Sequence, residues 1–191
     1  MIKKSFVLLS FILLIAGCAT SEEKSIQDIE KSIQESGNVN IQIIEPEGFE
    51  VSVASVLGQP GGQKNREVRI GFDNKVSDSK LMSEDEIEDK EDQLNIDYIY
   101  GPYSDNPNFE LILTSESMQT LIDPNLNFEP KTISDSTVLY QERPADNLLI
   151  VQYPYEGGVI RLDATLSDDV SKEDVWGYVE ELLGEYKSLM D

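Results

Sequence analysis

The stretch LLIVQYPYEGGVIRL, at residues 148–162, decides the fold class of this chain. Two apolar runs, 148–153 and 159–162, are joined by Tyr155-Glu156-Gly157-Gly158. A short connection of this kind, rich in glycine, is typical of a β-hairpin. Because a hairpin joins antiparallel strands, the sheet that contains these two strands is expected to be antiparallel.

Alternation of apolar and polar residues predicts further strands along the chain. Two other stretches lack this pattern. Residues 116–135 are predicted to be irregular, and the acid-rich stretch 77–92 is predicted to be a solvated loop with room for a short helical turn. The segments in which apolar and polar residues alternate are 39–43, 51–55, 67–72, 94–98, 109–113 and 138–142. Together with the two strands of the hairpin, they make about eight strands.

Helical periodicity flanks the strands on both sides, which predicts an α+β fold with an N-terminal and a C-terminal helix. In residues 21–36, three isoleucines form a narrow stripe, which favours a helix that packs lightly on the domain or acts as a spacer. Ser171 is the predicted N-cap of the C-terminal helix, with Asp174 three residues later. The apolar face of that helix comprises Val175, Val179, Leu182, Leu183, Tyr186 and Leu189.

The N-terminus has the three parts of an export signal. Lys3 and Lys4 precede an apolar run at 6–15, which is shorter than the roughly 20 residues that a spanning helix needs. The motif Ile15-Ala16-Gly17-Cys18 resembles the lipobox of bacterial lipoproteins. This resemblance implies a diacylglyceryl group on the sulfur of Cys18 and cleavage of the chain just before it.

The alternative for the N-terminus is an ordinary secretory signal followed by an incidental cysteine. Cys18 is the only cysteine of the chain, so it has no disulfide partner within the chain. Acylation gives this lone cysteine a function, because two acyl chains hold a protein firmly on a membrane. We therefore favour lipidation at Cys18.

The lipobox resemblance also predicts the organisation and location of the chain. Residues 1–17 are the expected signal peptide, 18–37 a lipid-anchored tether with a short helix, and 38–191 a single extracytoplasmic α+β domain. The protein is expected on the cell membrane, facing the extracytoplasmic side. Ala19 after the cysteine predicts the outer membrane if the cell is Gram-negative, whereas the Lys-, Ile-, Ser- and Glu-rich composition favours a low-GC Gram-positive source.

Composition argues against several classes of function. With 37 acidic and 15 basic residues, the chain carries a formal net charge of −22, which disfavours a nucleic-acid partner. It has no histidine, the commonest general base and metal ligand. The acidic run 84–92 lacks the alternate ligands and the glycine of a calcium loop, and no phosphate-binding or nucleophile motif is present. We therefore predict no catalytic residue, no cofactor and no bound metal.

Five tyrosines are the candidate ligand-binding residues, because they lie near turns at the ends of predicted strands. Aromatic rims of this kind floor apolar grooves or form protein interfaces. The alternative is that tyrosine fills the edge of a sheet, as it commonly does in strands. The candidates are Tyr98, Tyr100, Tyr103, Tyr153 and Tyr155.

A second resemblance covers part of the domain. The order of Pro46-Glu47-Gly48-Phe49, 68–72, 96–100 and 109–115 is similar to that of uncharacterised lipoproteins and sporulation-associated membrane proteins of Bacillus-type bacteria. The resemblance implies a curved antiparallel sheet, against which we expect the C-terminal helix to pack, and it implies no specific function.

Three functions remain open on the sequence alone. The first, which we favour, is a non-catalytic module that binds another protein of the cell envelope. The second is a carrier or sensor that holds an apolar ligand in the concavity of the sheet, and a deep apolar pocket would favour it. The third is a carboxylate-dependent hydrolase of wall polymer, which facing carboxylates in a cleft would favour.

Overall fold

The computed structural model describes residues 24–37, 39–58, 67–74, 76, 81–103, 106–115, 127–155 and 158–190. Its helices and strands are, in chain order, α1 (Ile26–Gly37), β1 (Glu50–Leu57), β2 (Glu67–Asp73), α2 (Glu84–Leu94), β3 (Ile96–Tyr100), β4 (Phe109–Ser115), β5 (Glu129–Ile133), β6 (Ser136–Arg143), β7 (Leu148–Tyr155), β8 (Gly158–Thr165) and α3 (Lys172–Met190).

The strands form one antiparallel sheet in the order β3-β1-β2-β4-β8-β7-β6-β5. The sheet does not close, so β3 and β5 are its edges. The predicted hairpin pairs β7 with β8, from Leu148 opposite Thr165 to Tyr155 opposite Gly158. The predicted α+β fold, with an antiparallel sheet of eight strands and a helix at each end, is confirmed.

One face of the sheet carries the hydrophobic core. The register places Phe72 opposite Phe109 and Ile70 opposite Leu111, so these four side chains share that face. Each of them is at most 1% exposed. The C-terminal helix α3 lies over this face, and the ring of its Tyr178 is 6.1 Å from that of Phe72.

The N-terminal helix α1 packs on the same core. Its Ile29 and Ile33 are 1% and 0% exposed. A Cβ atom placed on Gly37 would lie 3.5 Å from the side chain of Val56, in ordinary van der Waals contact, so the end of α1 lies directly against β1. The narrow isoleucine stripe therefore belongs to a packed helix rather than to a spacer.

This packing bears on the predicted organisation of the chain. The sequence placed residues 18–37 in a tether and began the domain at 38, but the structure includes α1 in the domain core. The predicted signal peptide, 1–17, and Cys18 lie outside the described residues. Among the described helices, none is both long enough and apolar enough to cross a bilayer.

The predicted strand at 39–43 is wrong. This segment has no regular secondary structure and joins no sheet, and its alternating Ile41 and Ile43 are buried. Side chains rather than a neighbouring strand satisfy its backbone: the hydroxyl groups of Tyr178 and Tyr186 donate to the carbonyl oxygens of Ile44 and Gln42 at 2.7 and 2.8 Å. Alternation thus identified the buried side chains correctly but not the partner of the backbone.

The prediction of irregular structure over 116–135 missed β5. This strand lies at the edge of the sheet, and one side of an edge strand has no partner strand. Pro130, which has no backbone N–H to donate, is tolerated in such a strand. Lys131 of β5 lies over the ring of Trp176 on α3, with 4.0 Å between its Nζ atom and the ring centroid. A cation–π contact therefore links this edge to the helix.

The prediction of a solvated loop with a short helical turn over 77–92 is also wrong, because all of 84–92 lies in α2, a helix of three turns; residues 77–80 lie outside the described residues. Ser83 is its N-cap: the Ser83 hydroxyl accepts from the backbone N–H of Glu86, and the Glu86 carboxylate accepts from that of Ser83 at 3.0 Å. Acidic residues in the first turn interact favourably with the helix dipole. Asn95 ends the helix in the left-handed conformation, which asparagine tolerates.

The other two helices begin with the same box. In α3, as predicted, the Ser171 hydroxyl accepts from the backbone N–H of Asp174 at 3.2 Å, and the Asp174 carboxylate accepts from that of Ser171 at 2.8 Å. Ser25 and Asp28 make the same pair of bonds at the start of α1. The hydrogen bond from the serine hydroxyl is the main reason that the pKa values of Asp28 and Asp174 lie below their ordinary value.

These lowered pKa values predict a specific dependence of stability on pH. Because ionised Asp174 is favoured in the folded state, its contribution is present above the unfolded pKa of 3.8 and is lost as the pH falls through the lower folded value. We expect Ser171→Ala to be less stable than the wild type at neutral pH, and the gap to narrow at about pH 2. Urea denaturation at both pH values measures this, and an unchanged gap would contradict it.

Candidate functional site

The structure separates the four candidate tyrosines with described side chains into two groups. Tyr98 and Tyr100 lie on the edge strand β3, and the ring of Tyr100 is 5.5 Å from that of Tyr103. Tyr153 lies on β7, and four strands stand between β3 and β7, a distance of roughly 24 Å at the usual spacing. The side chain of Tyr155 lies outside the described residues. The four tyrosines whose side chains are described therefore do not line one groove.

Tyr153 borders an apolar cavity between the sheet and α3. Its walls include Val138 and Val151 from the sheet and Leu182 and Leu183 from the helix. The cavity measures about 20 Å³. This is room for about one water molecule and is far below the roughly 300–1,000 Å³ of a typical ligand pocket. A cavity of this size gives no support to the carrier hypothesis at this place.

A much larger cleft, of about 610 Å³, opens beside the first half of α3. We call it the acidic cleft. Its inner wall is aromatic: the rings of Phe49 and Phe109 meet edge to face at 4.9 Å, and those of Phe109 and Tyr178 at 5.7 Å. Phe109 and Tyr178 are buried, whereas Phe49 is partly exposed. Phe49 is therefore the ring of this wall that a ligand in the cleft can contact, and Phe109 and Tyr178 pack behind it.

The wall is fixed by local chain geometry. Gly48 has a φ of +80°, which favours glycine, and the turn it allows is closed by a hydrogen bond from the N–H of Phe49 to the carbonyl of Pro46 at 3.0 Å. On the opposite side, the buried hydroxyl of Tyr178 donates to the backbone at Ile44. Burial raises the pKa of Tyr178 well above its ordinary value, so this phenol remains a neutral donor.

The rim of the acidic cleft carries five carboxylates. Asp174 is engaged in the cap of α3, but no described lysine or arginine forms an ion pair with any of the five. Gly177 lies between Asp174 and Glu181 on α3. A Cβ atom added there would meet no atom within 4 Å, so the helix leaves the cleft open at this point. The carboxylates belong to Glu47, Asp169, Glu173, Asp174 and Glu181.

This combination of charge and aromatic surface suits one kind of ligand. Carboxylates at a partly enclosed surface attract a cation more strongly than they do in bulk water. An aromatic ring also attracts ammonium and guanidinium groups through its quadrupole, typically by about 0.5–1 kcal/mol at exposed sites. The geometry therefore fits a cation that has an apolar part, such as a lysine or arginine side chain.

The opposite face of the sheet carries a second cluster, which we call the polar row. On β8, the guanidinium of Arg161 donates two hydrogen bonds to the carboxylate of Asp163, at 2.6 and 2.5 Å. On β2, Arg69 binds Glu67, and its Nη1 atom is 3.7 Å from Oε1 of Glu110 on β4. The sixth member of the row is Gln152 of β7, which is directly opposite Arg161 in the register.

Glu110 is a titratable group of the polar row whose pKa is shifted. Burial raises the pKa of its carboxyl above the ordinary value, and the nearby Arg69 opposes that rise. Asp163 is its register partner and adds a repelling negative charge. The two arginines therefore hold a group of carboxylates together that would otherwise repel one another.

Comparison with known proteins adds no identification. No protein-family model, no curated protein and no solved structure matches this chain. The resemblances to lipoproteins and to the Bacillus-type domain therefore stay predictions. Within the described part of the chain, no three Asp, Glu, His or Cys side chains are grouped so as to hold a metal ion.

Proposed function

We propose that this protein is a lipid-anchored, extracytoplasmic binding module, and that its acidic cleft holds a cationic side chain of a partner protein in the cell envelope. The observation that carries the proposal is the cleft of about 610 Å³, in which an aromatic wall faces a rim of five carboxylates. The partner contributes lysine or arginine side chains, which the excess of acidic residues in the chain attracts over a longer range.

The position of the cleft is consistent with a role close to a membrane. Cys18, the proposed site of the anchor, precedes the first residue of α1 by eight positions, since Ile26 begins that helix. Eight residues span at most about 28 Å. Because α1 packs into the domain core, the anchor would hold the whole domain, with its cleft, near the bilayer surface.

The cleft favours binding over the two other functions. A carrier for an apolar ligand needs a cavity of several hundred cubic ångströms with apolar walls. The acidic cleft has sufficient volume, but its carboxylates would have to lose water against an apolar ligand, which is unfavourable. Hydrolysis of a glycan requires one carboxyl group that remains protonated to act as an acid, and burial in an apolar pocket is the usual way to achieve this. All five rim carboxylates belong to exposed residues.

A titration with a hexalysine peptide tests the cleft as the binding site. We expect the wild-type chain to bind the peptide, and the double variant Glu173→Gln/Glu181→Gln to bind it about tenfold more weakly. Phe49→Leu should also weaken binding, although it changes no charge, because it removes the ring from the wall. Isothermal titration calorimetry at physiological salt measures all three affinities.

The matched control removes the same charge elsewhere. Glu84 and Glu88 are exposed on α2, which does not line the cleft. The variant Glu84→Gln/Glu88→Gln should bind the peptide nearly as well as the wild type. Equal losses in the two double variants would show that the peptide responds only to net charge, and this would overturn the assignment of the cleft.

A further inference from the structure

The acidic cleft brings an aromatic ring and negative charge to the same open space. Phe49 is the partly exposed ring of its wall, and Glu47 of the rim is two residues away on the same turn. Burial is the main cause of the raised pKa of Tyr178, and the charge of Glu181 adds to it, so this carboxylate lies close to the aromatic wall. The volume of about 610 Å³ admits a long side chain together with its neighbours in the partner chain.

The α3 side of the cleft offers carboxylates on both sides of an opening. Glu173 and Glu181 are eight residues apart, which is about 12 Å along the helix axis. Gly177 lies midway between them and has no side chain to fill the space. Neither carboxylate is paired with a described lysine or arginine, so both keep acceptor positions for a group that enters above Gly177.

The ring and the carboxylates make different demands on one cation. An aromatic ring attracts a cation that lies over its face, within about 6 Å of the ring centre. A carboxylate is bound most strongly by two parallel N–H groups. A guanidinium group meets both demands, because its flat face can stack on a ring while its five N–H donors point outward in its own plane.

An ammonium group meets the same demands less well. It is a compact charge with three donors, and a donor that points at the ring is not available to a carboxylate. It is also more strongly hydrated than a guanidinium, and a partly enclosed cleft removes part of that water. The cleft is therefore able to distinguish between two side chains of equal charge.

We propose that the acidic cleft is selective for arginine, and that the guanidinium of a partner's arginine stacks on Phe49 while its N–H groups bind the rim carboxylates of α3. This selectivity rests on the proposed function, because it concerns the same cleft, and it names which basic side chain the partner supplies. The excess of acidic residues attracts arginine and lysine equally at long range, so the selectivity comes from the cleft itself.

Hexaarginine and hexalysine, which carry equal charge, test the selectivity on the full chain in detergent micelles. We expect the wild type to bind hexaarginine at least about fivefold more tightly than hexalysine. Phe49→Leu should bring the ratio of the two affinities close to one, whereas Phe49→Tyr, which keeps a ring, should preserve it. Isothermal titration calorimetry at physiological salt measures each affinity.

The rim variant Glu173→Gln/Glu181→Gln should also lower the ratio, so the selectivity can be refuted even if Phe49→Leu fails to fold. Glu84→Gln/Glu88→Gln is the control, because α2 does not line the cleft, and it should leave the ratio unchanged. Equal affinity of the wild type for the two peptides, or a ratio that neither Phe49→Leu nor the rim variant lowers, overturns the selectivity and leaves the proposed function standing. Binding of neither peptide overturns both.

Discussion

Truncation of the chain after Val170, which removes α3, is expected to leave the domain unfolded. The helix contributes six apolar side chains that are each at most 7% exposed. Shortening a single buried leucine to alanine typically costs about 2–5 kcal/mol, whereas a whole domain has about 5–15 kcal/mol of stability. The loss of α3 therefore exceeds the stability of the domain. The six side chains belong to Val175, Tyr178, Val179, Leu182, Leu183 and Tyr186.

Circular dichroism and urea denaturation measure this effect, with a chain that lacks α1 as the comparison. Removing residues before Val39 deletes two fully buried isoleucines, Ile29 and Ile33, and should weaken the domain less than the loss of α3. The point variant Leu182→Ala should lose about 2–5 kcal/mol. If the chain without α3 unfolds like the intact one while the chain without α1 collapses, our assignment of the main core helix is wrong.

The second large effect is expected at the proposed anchor. Cys18→Ala removes the sulfur to which lipid would be attached, so the precursor should carry no acyl label and should not be cut by the lipoprotein peptidase. Each buried methylene of an acyl chain contributes about 0.8 kcal/mol to membrane binding, so the loss of two chains removes most of the anchoring energy. Metabolic labelling with a fatty-acid analogue measures the change.

Thr20→Ala is the control for the anchor, because it alters a polar side chain close to the cysteine and leaves the lipobox intact. It should be labelled and cleaved like the wild type. A Cys18→Ala chain that still takes up the label would refute lipidation at this residue.

Much of the fold could be predicted because the relevant signals are local. The hairpin of β7 and β8 follows from two apolar runs and a glycine turn, and the start of α3 follows from Ser171 and Asp174. The errors occurred where a local pattern has more than one structural solution. Residues 39–43 alternate like a strand, but the carbonyl groups of Gln42 and of the following Ile44 accept hydrogen bonds from tyrosine side chains on α3.

The composition of α2 and of β5 led to the other two errors. The acidic run that forms α2 has good helix formers and a capping box at Ser83, but its charge resembles that of a solvated loop. The short strand β5 contains Pro130 and polar residues, which a strand tolerates only at an edge of the sheet. The position of β5 depends on its neighbours in the sheet, which periodicity does not provide, whereas α2 had a local signal in its capping box that the charge of the run outweighed.

The candidate sites could not be predicted from the sequence, because their residues come together only in the folded chain. Phe49, Phe109 and Tyr178 are far apart in the chain and meet only through the sheet and α3. In a chain with 37 acidic residues, no single carboxylate is distinctive, so the rim of the cleft gave no signal. The polar row consists of charged residues at alternate strand positions, such as Arg161 and Asp163, and such a pattern usually indicates only a solvated face.

Site-specific crosslinking in living cells tests the central claim, that the acidic cleft holds an envelope partner. Gly177 and Gly184 are both exposed on α3, and a Cβ atom at either would meet nothing within 4 Å, so each position can carry a photoreactive residue. Only Gly177 lines the cleft. Our account predicts a covalent adduct with one membrane or envelope protein from position 177, little from position 184, and loss of the adduct when Glu173→Gln/Glu181→Gln is added. Equal adducts from both positions, or none from position 177, would contradict it.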